Sequence, residues 1–441
     1  MVRGVQKFEG MTRDYVVAVQ APAFGLGKDS FATESAFADH LKQLRRELGD
    51  RVDKLILIAP QMSKGEYEVR AMHLGLVNFP EDGIQYVPAH TQGASVPRFW
   101  FDEAAGMLSR MRNAMTNAVV VHSAMSNDLW RPFLVIVNCI AWRAKKPILF
   151  FVDIDYRKTS WRYYKLGSWS LRSYLLNRLI HDPFKWLQVW YAVRKFQLVM
   201  LKSASMVEYF GKGRSNVKDF FDTAHSLEQV LAIGDQAAHL QWIARESGPL
   251  RVVYFGRLVG YKGLDRAIEA IRIARSAGTD VVLTIIGDGE QAGALKAQVE
   301  SNSLADVVKF IPQVRYGEPL FELLRGFHLS IATPLVEDTP RSAFDSMARG
   351  IPIVAFDIAY FRDLAGLSGA VALAEWPKAE SLAAQFTKLH CDRKSLGAMA
   401  ERALVFAREN TQEIWLKRRV EWTLELVQLE GAAGAERNRR I

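Results

Sequence analysis

The chain has 441 residues, of which 49% are hydrophobic and 24% are charged. This is the composition of a folded globular protein with two or three domains, and it excludes a disordered, fibrous or low-complexity chain. Its two cysteines, Cys139 and Cys391, are far apart in the sequence, which argues against a disulfide framework or a cysteine-based metal site. A reducing, cytoplasmic compartment is therefore expected.

The net charge of +9 is concentrated in one part of the chain. Residues 101–200 contain 15 Lys and Arg against 6 Asp and Glu, so the rest of the sequence is close to neutral. The N-terminal residues lack the apolar stretch of a secretory signal. The most apolar run, 132–142, is too short to span a bilayer and predicts a buried helix.

Taken in chain order, short β-rich runs alternate with amphipathic stretches. In the first half the predicted strands are 15–19, 54–59, 84–88, 118–122, 147–152 and 197–201, with a helix over 31–48. After a polar stretch, a second series follows at 251–256, 281–287, 307–312, 327–334, 351–356 and 370–373. Alternation of this kind predicts parallel sheets with helical crossovers.

The expected fold class is therefore α/β, with two doubly wound, Rossmann-like domains facing a cleft. We place the first domain at 1–240 and the second at 241–411. The remaining residues, 412–441, begin with a long amphipathic helix that we expect to pack back on the first domain.

Ligands of such sheets bind beyond the carboxyl ends of the strands, so the residues that follow strands are the first candidates. Arg257 and Lys262 flank a turn that begins at Gly256, and a helix follows. Two cations and a helix N-terminus suit a diphosphate, although solvated cations on a surface turn are the alternative. Gly287 ends the next strand, where glycine would let the backbone approach a ligand closely.

Two carboxylates follow the strand predicted at 327–334. Glu337 lies on the loop, and Asp345 lies eight residues later in a helix that Pro340 is well placed to begin. Together with free helix amides, the two acids could bind hydroxyls at separated points of an extended ligand such as a nucleotide sugar. Solvated acids beside a helix are the alternative.

The run from residue 252 to 373 resembles the donor-binding domain of glycosyltransferase family 4, which has the GT-B fold. Four elements occur in order: a G-R-L…K-G turn, a strand ending in G-D-G, an E-x7-E pattern and the strand segment A-R-G-I-P-I-V-A. The resemblance implies that Arg257 and Lys262 bind the donor diphosphate, that Glu337 contacts sugar hydroxyls and that Asp345 holds the ribose. Asp345 replaces the usual glutamate and reaches one methylene less far.

The resemblance also implies further donor contacts. Asp338 and Thr339 stand where the family often has glycine and an apolar residue, which is expected to alter the sugar preference. The other implied donor-binding residues are Arg341 beside them, Gln313 and Val314 in the loop near the nucleobase, and Gly25 and Gly27 in the glycine-rich loop of the first domain.

In the first domain, His122 matches a strand-end histidine that the family places close to the reacting sugar. Asp153 and Asp155 follow the next strand, where family members line the acceptor pocket. A structural histidine and aspartates that cap the next segment are the alternatives.

Residues 155–197 carry nine Lys and Arg, two Asp, four Trp and five Tyr. Cations mixed with amphipathic aromatic residues are typical of a surface that meets anionic lipid. Core aromatics with snorkelling cations, or an oligomer interface, are the alternatives. No nucleic-acid-binding module surrounds the segment, so no nucleic-acid partner is expected.

The resemblance implies a retaining, metal-independent hexosyltransferase that needs no cofactor and uses a UDP- or GDP-linked sugar as co-substrate. The acceptor is expected to be a lipid-linked saccharide in bacterial surface polysaccharide biosynthesis, with the enzyme cytoplasmic and peripheral at the inner face of the cell membrane. The alternatives are a nucleotide-sugar epimerase of the same fold and a non-catalytic nucleotide-sugar-binding protein.

Overall fold

A computed structural model of the protein describes residues 12–245 and 248–438. The strands of the first domain are β1 (Asp14–Ala18), β2 (Phe24–Gly25), β3 (Ser30–Glu34), β4 (Lys54–Gln61), β5 (Leu74–Asn78), β6 (Ile84–Thr91), β7 (Ala118–Ala124), β8 (Ile148–Val152), β9 (Leu198–Leu201) and β10 (Val217–Asp219). A parallel sheet runs in the order β10-β9-β8-β7-β1-β4-β6. β2, β3 and β5 form a separate antiparallel sheet.

The helices of this half are α1 (Ser35–Leu48), α2 (Lys64–Arg70), α3 (Phe79–Asp82), α4 (Ala104–Met115), α5 (Phe133–Arg143), α6 (Thr159–Lys165), α7 (Leu171–Leu176), α8 (Asp182–Lys195), α9 (Ala204–Gly211) and α10 (Ile233–Ile243). One face of the parallel sheet packs against α4, α5 and α8. The other face packs against α1. Both faces are therefore apolar, as buried parallel strands require.

The second domain has the strands β11 (Leu250–Phe255), β12 (Val281–Ile286), β13 (Val308–Ile311), β14 (Leu329–Ala332), β15 (Ile353–Phe356) and β16 (Val371–Ala374). They form a parallel sheet in the order β13-β12-β11-β14-β15-β16. Its helices are α11 (Leu264–Ser276), α12 (Ala292–Ser301), α13 (Glu318–Leu324), α14 (Ser342–Ala348), α15 (Ala359–Ser368), α16 (Ala379–Cys391) and α17 (Arg393–Glu409). The predicted α/β class with two doubly wound domains is confirmed.

The last helix, α18 (Gln412–Asn438), returns to the first domain. Trp415, Leu416 and Val420 are buried in the same apolar cluster as Tyr15 of β1 and Leu41 of α1. Burial of these side chains removes apolar surface from water, which ties the end of the chain to the domain where it began. None of the helices in the described parts of the chain has the length and apolar character needed to cross a membrane.

The start of the predicted helix 31–48 was wrong. Residues 31–34 lie in β3, where Phe31 pairs with Val77 of β5 and packs 5.3 Å from the ring of Tyr86. Pairing with a strand some forty residues away decides this segment, and a local apolar spacing cannot report such a contact. The helix α1 begins at Ser35.

Candidate active site

Because β11 and β14 are neighbours in the second sheet, the loops after them meet at one edge. The hydroxyl of Thr333 donates a hydrogen bond to the carbonyl of Lys262 at 2.8 Å. The amide of Leu335 donates to the carbonyl of Tyr261, also at 2.8 Å. The two segments from which the sequence predicts donor binding are thus held against each other before any ligand is present.

Glycine is required in these loops by backbone packing. A Cβ atom on Gly287 would lie 2.0 Å from the carbonyl oxygen of Gly256, and one on Gly263 would lie 2.3 Å from that of Thr333. Both glycines also have positive φ angles, which disfavour other residues. Gly287 therefore packs closely on the turn at Gly256, which fixes the shape of that turn.

Glu337 is buried, with 5% of its surface exposed. Its Oε1 lies 2.7 Å from Nη1 of Arg162 and accepts a hydrogen bond from the amide of Ala359 at 3.3 Å. Its Oε2 is also buried but has no hydrogen-bond partner among the described residues. Burial raises the pKa of Glu337, while the charge of Arg162 opposes that rise.

Arg162 reaches Glu337 from α6 of the first domain and is 4% exposed. Its guanidinium also lies 5.4 Å from the ring centre of Trp376 in the second domain. The neighbouring Trp161 packs 5.7 Å from the same tryptophan. The two domains therefore meet at Glu337 through a buried ion pair flanked by aromatic rings.

Arg162 is a site residue that sequence reasoning missed. In the sequence it is one of nine cations in 155–197, all of which were expected on a lipid-facing surface. The structure corrects this expectation for Arg162, which is buried, and for Arg157, which is half-buried in an ion pair with Asp155. No local pattern separates Arg162 from the exposed cations, because its partner Glu337 lies far away in the chain.

The two cations predicted to bind the diphosphate converge on Tyr261. Nη2 of Arg257 lies 3.3 Å from the hydroxyl of Tyr261, and Nζ of Lys262 lies 5.1 Å from the centre of its ring. Lys262 also forms a close ion pair with Asp338. A diphosphate at this position would take the place of the Asp338 carboxylate as the partner of Lys262.

Asp345 lies in α14, which begins at Ser342 shortly after Pro340, and it is 4% exposed. The hydroxyl of Tyr316 donates to its Oδ1 at 3.2 Å. Burial raises the pKa of Asp345 to about 7. Tyr316 follows Gln313 and Val314 in the loop after β13, so it brings the predicted nucleobase loop to the predicted ribose carboxylate. Sequence reasoning missed this tyrosine.

We predict that Asp345→Asn flattens the pH dependence of stability. Because its folded-state pKa of about 7 lies above that of an ordinary aspartate, folded protein keeps a proton that the unfolded chain releases. The free energy of unfolding should therefore fall as the pH rises from about 4 to about 7, by on the order of 2–4 kcal/mol from this group. Chemical denaturation across that range, in wild type and variant, measures the difference.

Asp219→Asn is the matched control, because burial also raises the pKa of Asp219 to about 7. Both variants should flatten the stability profile, but only Asp345→Asn should weaken nucleotide binding. Equal nucleotide affinity in the two variants would contradict a ribose-binding role for Asp345. A stability profile unchanged by Asp345→Asn would contradict its raised pKa.

In the first domain, β7 runs on to Ala124, so His122 lies within the strand and not at its end as predicted, near His40 of α1 and Arg419 of α18. Its Nδ1 lies 3.3 Å from the hydroxyl of Tyr15, and its ring packs against Phe151. Burial lowers the pKa of His122 to about 3, with further lowering by Arg419 and His40. The contacts that the structure gives His122 are thus with this polar cluster and not with Glu337.

The predicted acceptor residues differ in their surroundings. The hydroxyl of Thr339 donates to the carbonyl of Asp153 at 3.3 Å, so Asp153 lies where the domains meet. Asp155 caps the following turn and holds the guanidinium of Arg157 at 2.8 and 2.5 Å. The carboxylate of Asp155 therefore has a structural role, which agrees with the alternative that this aspartate caps the following segment.

The predicted glycine-rich loop of the first domain is a short hairpin. Gly25 lies in β2 and is paired with Phe31, so it is not part of a flexible turn. Gly27 lies at the hairpin tip with φ of 121°, and a Cβ atom there would meet no neighbour. Arg341 is exposed immediately before α14, and its charge acts to lower the pKa of Asp345, against the larger effect of burial.

Within the described ranges, no group of three or more His, Cys, Asp or Glu side chains is arranged to hold a metal ion.

Residues 236–405 match the family model of the glycosyl transferases group 1. A glycogen synthase of Mycobacterium tuberculosis is 28% identical over 217 residues, covering 44% of this chain and 48% of the relative. The amylovoran biosynthesis glycosyltransferase AmsK of Erwinia amylovora is 36% identical over 113 residues, covering 24% of this chain and 27% of the relative. The chain thus spans about half, or less, of the length of these relatives.

Solved structures match nearly the whole chain. Anabaena HepE in complex with UDP has a TM-score of 0.62 at 15% identity, covering 94% of this chain and all of that one. WaaG, a glycosyltransferase involved in lipopolysaccharide biosynthesis, has a TM-score of 0.57 at 12% identity, covering 92% and 98%. The expected resemblance is confirmed for residues 236–405 at the level of the group 1 family model, and the chain has the GT-B fold.

Proposed function

We propose that the protein is a retaining hexosyltransferase that transfers a sugar from a UDP-linked donor to a saccharide acceptor. The observation that carries the proposal is the buried Glu337, whose free Oε2 lies in the loop that also pairs with Lys262. A buried carboxylate oxygen without a partner is costly unless a ligand hydroxyl donates to it. HepE has been crystallised with UDP and with UDP-glucose, which supports UDP as the nucleotide.

In the reaction, the bond between the anomeric carbon and the diphosphate oxygen breaks, and negative charge develops on the departing phosphate. Lys262 and Arg257 stabilise that charge, Lys262 by exchanging Asp338 for a phosphate oxygen. Oε2 of Glu337 accepts a hydrogen bond from a sugar hydroxyl and orients the ring. The departing phosphate takes the proton of the acceptor hydroxyl, which attacks from the same face, so that the anomeric configuration is retained.

We further propose that transfer needs neither a metal ion nor a cofactor, because Arg257 and Lys262 could neutralise the diphosphate in place of a divalent ion. The acceptor is a lipid-linked saccharide of a bacterial surface polysaccharide, and the protein acts in the cytoplasm at the inner face of the membrane. The part that AmsK plays in amylovoran biosynthesis supports a polysaccharide product. Exposed aromatic and leucine side chains in 155–197 support contact with lipid.

We predict that UDP raises the melting temperature of the protein more than GDP does, because UDP is the nucleotide of the proposed donor. A ligand that binds only the folded state stabilises that state. Lys262→Met should reduce the affinity for UDP about tenfold or more, since it removes a charge-assisted contact to phosphate. Lys309→Met is the matched control, because Lys309 is exposed on β13. Equal UDP affinity in the two variants would contradict the donor site.

Analysis of the products formed from UDP-glucose distinguishes a glycosyltransferase from the two alternative functions of the same site. Release of UDP that continues in excess chelator supports metal independence. A changed sugar still attached to UDP would instead identify an epimerase, and binding without any turnover a non-catalytic protein.

A further inference from the structure

A groove of about 380 Å³ lies between α6, α7 and α8 on the first domain. It is lined by Arg157, Lys158, Trp161, Tyr174, Arg178 and Asp182. Three cations, one acid and two aromatic rings therefore surround one opening. Aromatic rings with cations suit a ligand that combines a sugar with phosphate.

The charges available to a ligand are those of Lys158 and Arg178. Lys158 is exposed, and the side chain of Arg178 is 58% exposed. Arg157 is held by Asp155 behind the groove. The one lining acid, Asp182, is buried, where it accepts a hydrogen bond from Ser160 and lies 3.6 Å from Arg178.

One end of the groove adjoins the candidate active site. Trp161 lines the groove and packs against Trp376 of the second domain. The next residue, Arg162, contacts Glu337. A sugar stacked on Trp161 would therefore lie against the helix that also carries the arginine paired with Glu337.

The other end adjoins an apolar surface. α7 and the turn after it expose a run of aliphatic side chains, of which Leu179 is 70% exposed. The members of this aliphatic surface are Leu171, Leu175, Leu176, Leu179 and Ile180. An exposed apolar patch beside cations is the surface expected to meet the interface of a membrane.

We propose that the groove binds the phosphorylated head of a polyprenyl-linked saccharide acceptor. The phosphate lies on Lys158 and Arg178, the sugar stacks on Trp161, and the lipid chain leaves over the aliphatic surface. This inference rests on the proposed glycosyl transfer and names the acceptor class for that reaction. The sequence alone assigns the cations and aromatic residues of 155–197 to one lipid-binding surface. The proposal gives them separate roles in binding phosphate and sugar.

The test is co-sedimentation with three kinds of phosphatidylcholine vesicle: neutral, with phosphatidylglycerol, and with polyprenyl diphosphate at matched surface charge. We expect the strongest retention on the polyprenyl diphosphate vesicles. Lys158→Gln with Arg178→Gln should weaken that retention about twenty-fivefold, at roughly fivefold per cation, and Lys158→Gln alone about fivefold. Lys64→Gln with Lys309→Gln, exposed cations elsewhere on the protein, is the matched control.

Equal retention on phosphatidylglycerol and polyprenyl diphosphate would overturn the acceptor site, because it would mark a general attraction to anionic lipid. Equal retention of the groove variants and the control would overturn it as well. Binding of UDP is measured on the same variants. It should be unchanged in the groove variants, whereas its absence from wild type would count against the proposed function and not against the groove.

Discussion

Replacing Glu337 by Gln together with Arg162 by Met should abolish sugar transfer while leaving the protein folded. The loss should be about a hundredfold or more, because the amide cannot accept and orient the sugar hydroxyl as the carboxylate does. Removing both charges leaves neither one buried without a partner, so the free energy of unfolding should stay close to that of wild type. Initial rates of UDP release and denaturation curves provide the two measurements.

The paired substitution is needed because Glu337→Gln alone would strand the guanidinium of Arg162, which is 4% exposed. A single variant that lost activity by unfolding would reveal nothing about the chemistry. Glu375→Gln, on an exposed carboxylate of the same domain, is the matched control and should keep full activity. Near-normal turnover by the folded double variant would refute the assignment of Glu337.

Arg162→Met alone should destabilise the protein by about 3–5 kcal/mol, because it leaves the carboxylate of Glu337 buried without its counter-charge. It should also raise the pKa of Glu337 further, since Arg162 now opposes the effect of burial. The carboxylate of Glu337 then becomes protonated at a higher pH, so the acid limb of the pH–rate profile should shift to higher pH. Denaturation curves and pH–rate profiles of variant and wild type measure both effects.

Lys165→Met, on the same helix, removes an exposed cation and should change the free energy of unfolding by no more than about 0.5 kcal/mol. Denaturation of Glu337→Gln alone, Arg162→Met alone and the double variant completes a double-mutant cycle, which isolates the coupling between the two charges. If the losses in the two single variants add up to the loss in the double variant, the buried ion pair contributes no coupling. An acid limb that stays in place would show that Arg162 does not act through Glu337.

Most of the fold could be predicted from local pattern. The β-rich runs that became β11, β12 and β14 alternate with helical segments, and alternation dictates parallel pairing with helical crossovers. The small sheet of β2, β3 and β5 could not be predicted in this way. It depends on Phe31 pairing with Val77, and the helix-like spacing after Phe31 pointed to a different structure.

The candidate donor site was equally accessible from sequence, because Lys262, Glu337 and Asp345 follow strands and such positions converge at one sheet edge. The residues that contact these acids could not be predicted from the sequence. Tyr316 reaches Asp345, and Arg162 reaches Glu337, from segments that have no fixed spacing to the acids. Asp155 was predicted to line the acceptor pocket, but the structure engages its carboxylate with Arg157.

The amino-acid order alone determined the strands of the two parallel sheets and which loops carry charge, since apolar periodicity and glycine turns are local properties. How the two sheets face each other, which of nine cations in one basic segment is buried, and which carboxylate oxygen is left without a partner were decided by the folded chain. These depend on contacts between residues far apart in sequence, where burial converts an ordinary arginine and an ordinary glutamate into a paired unit.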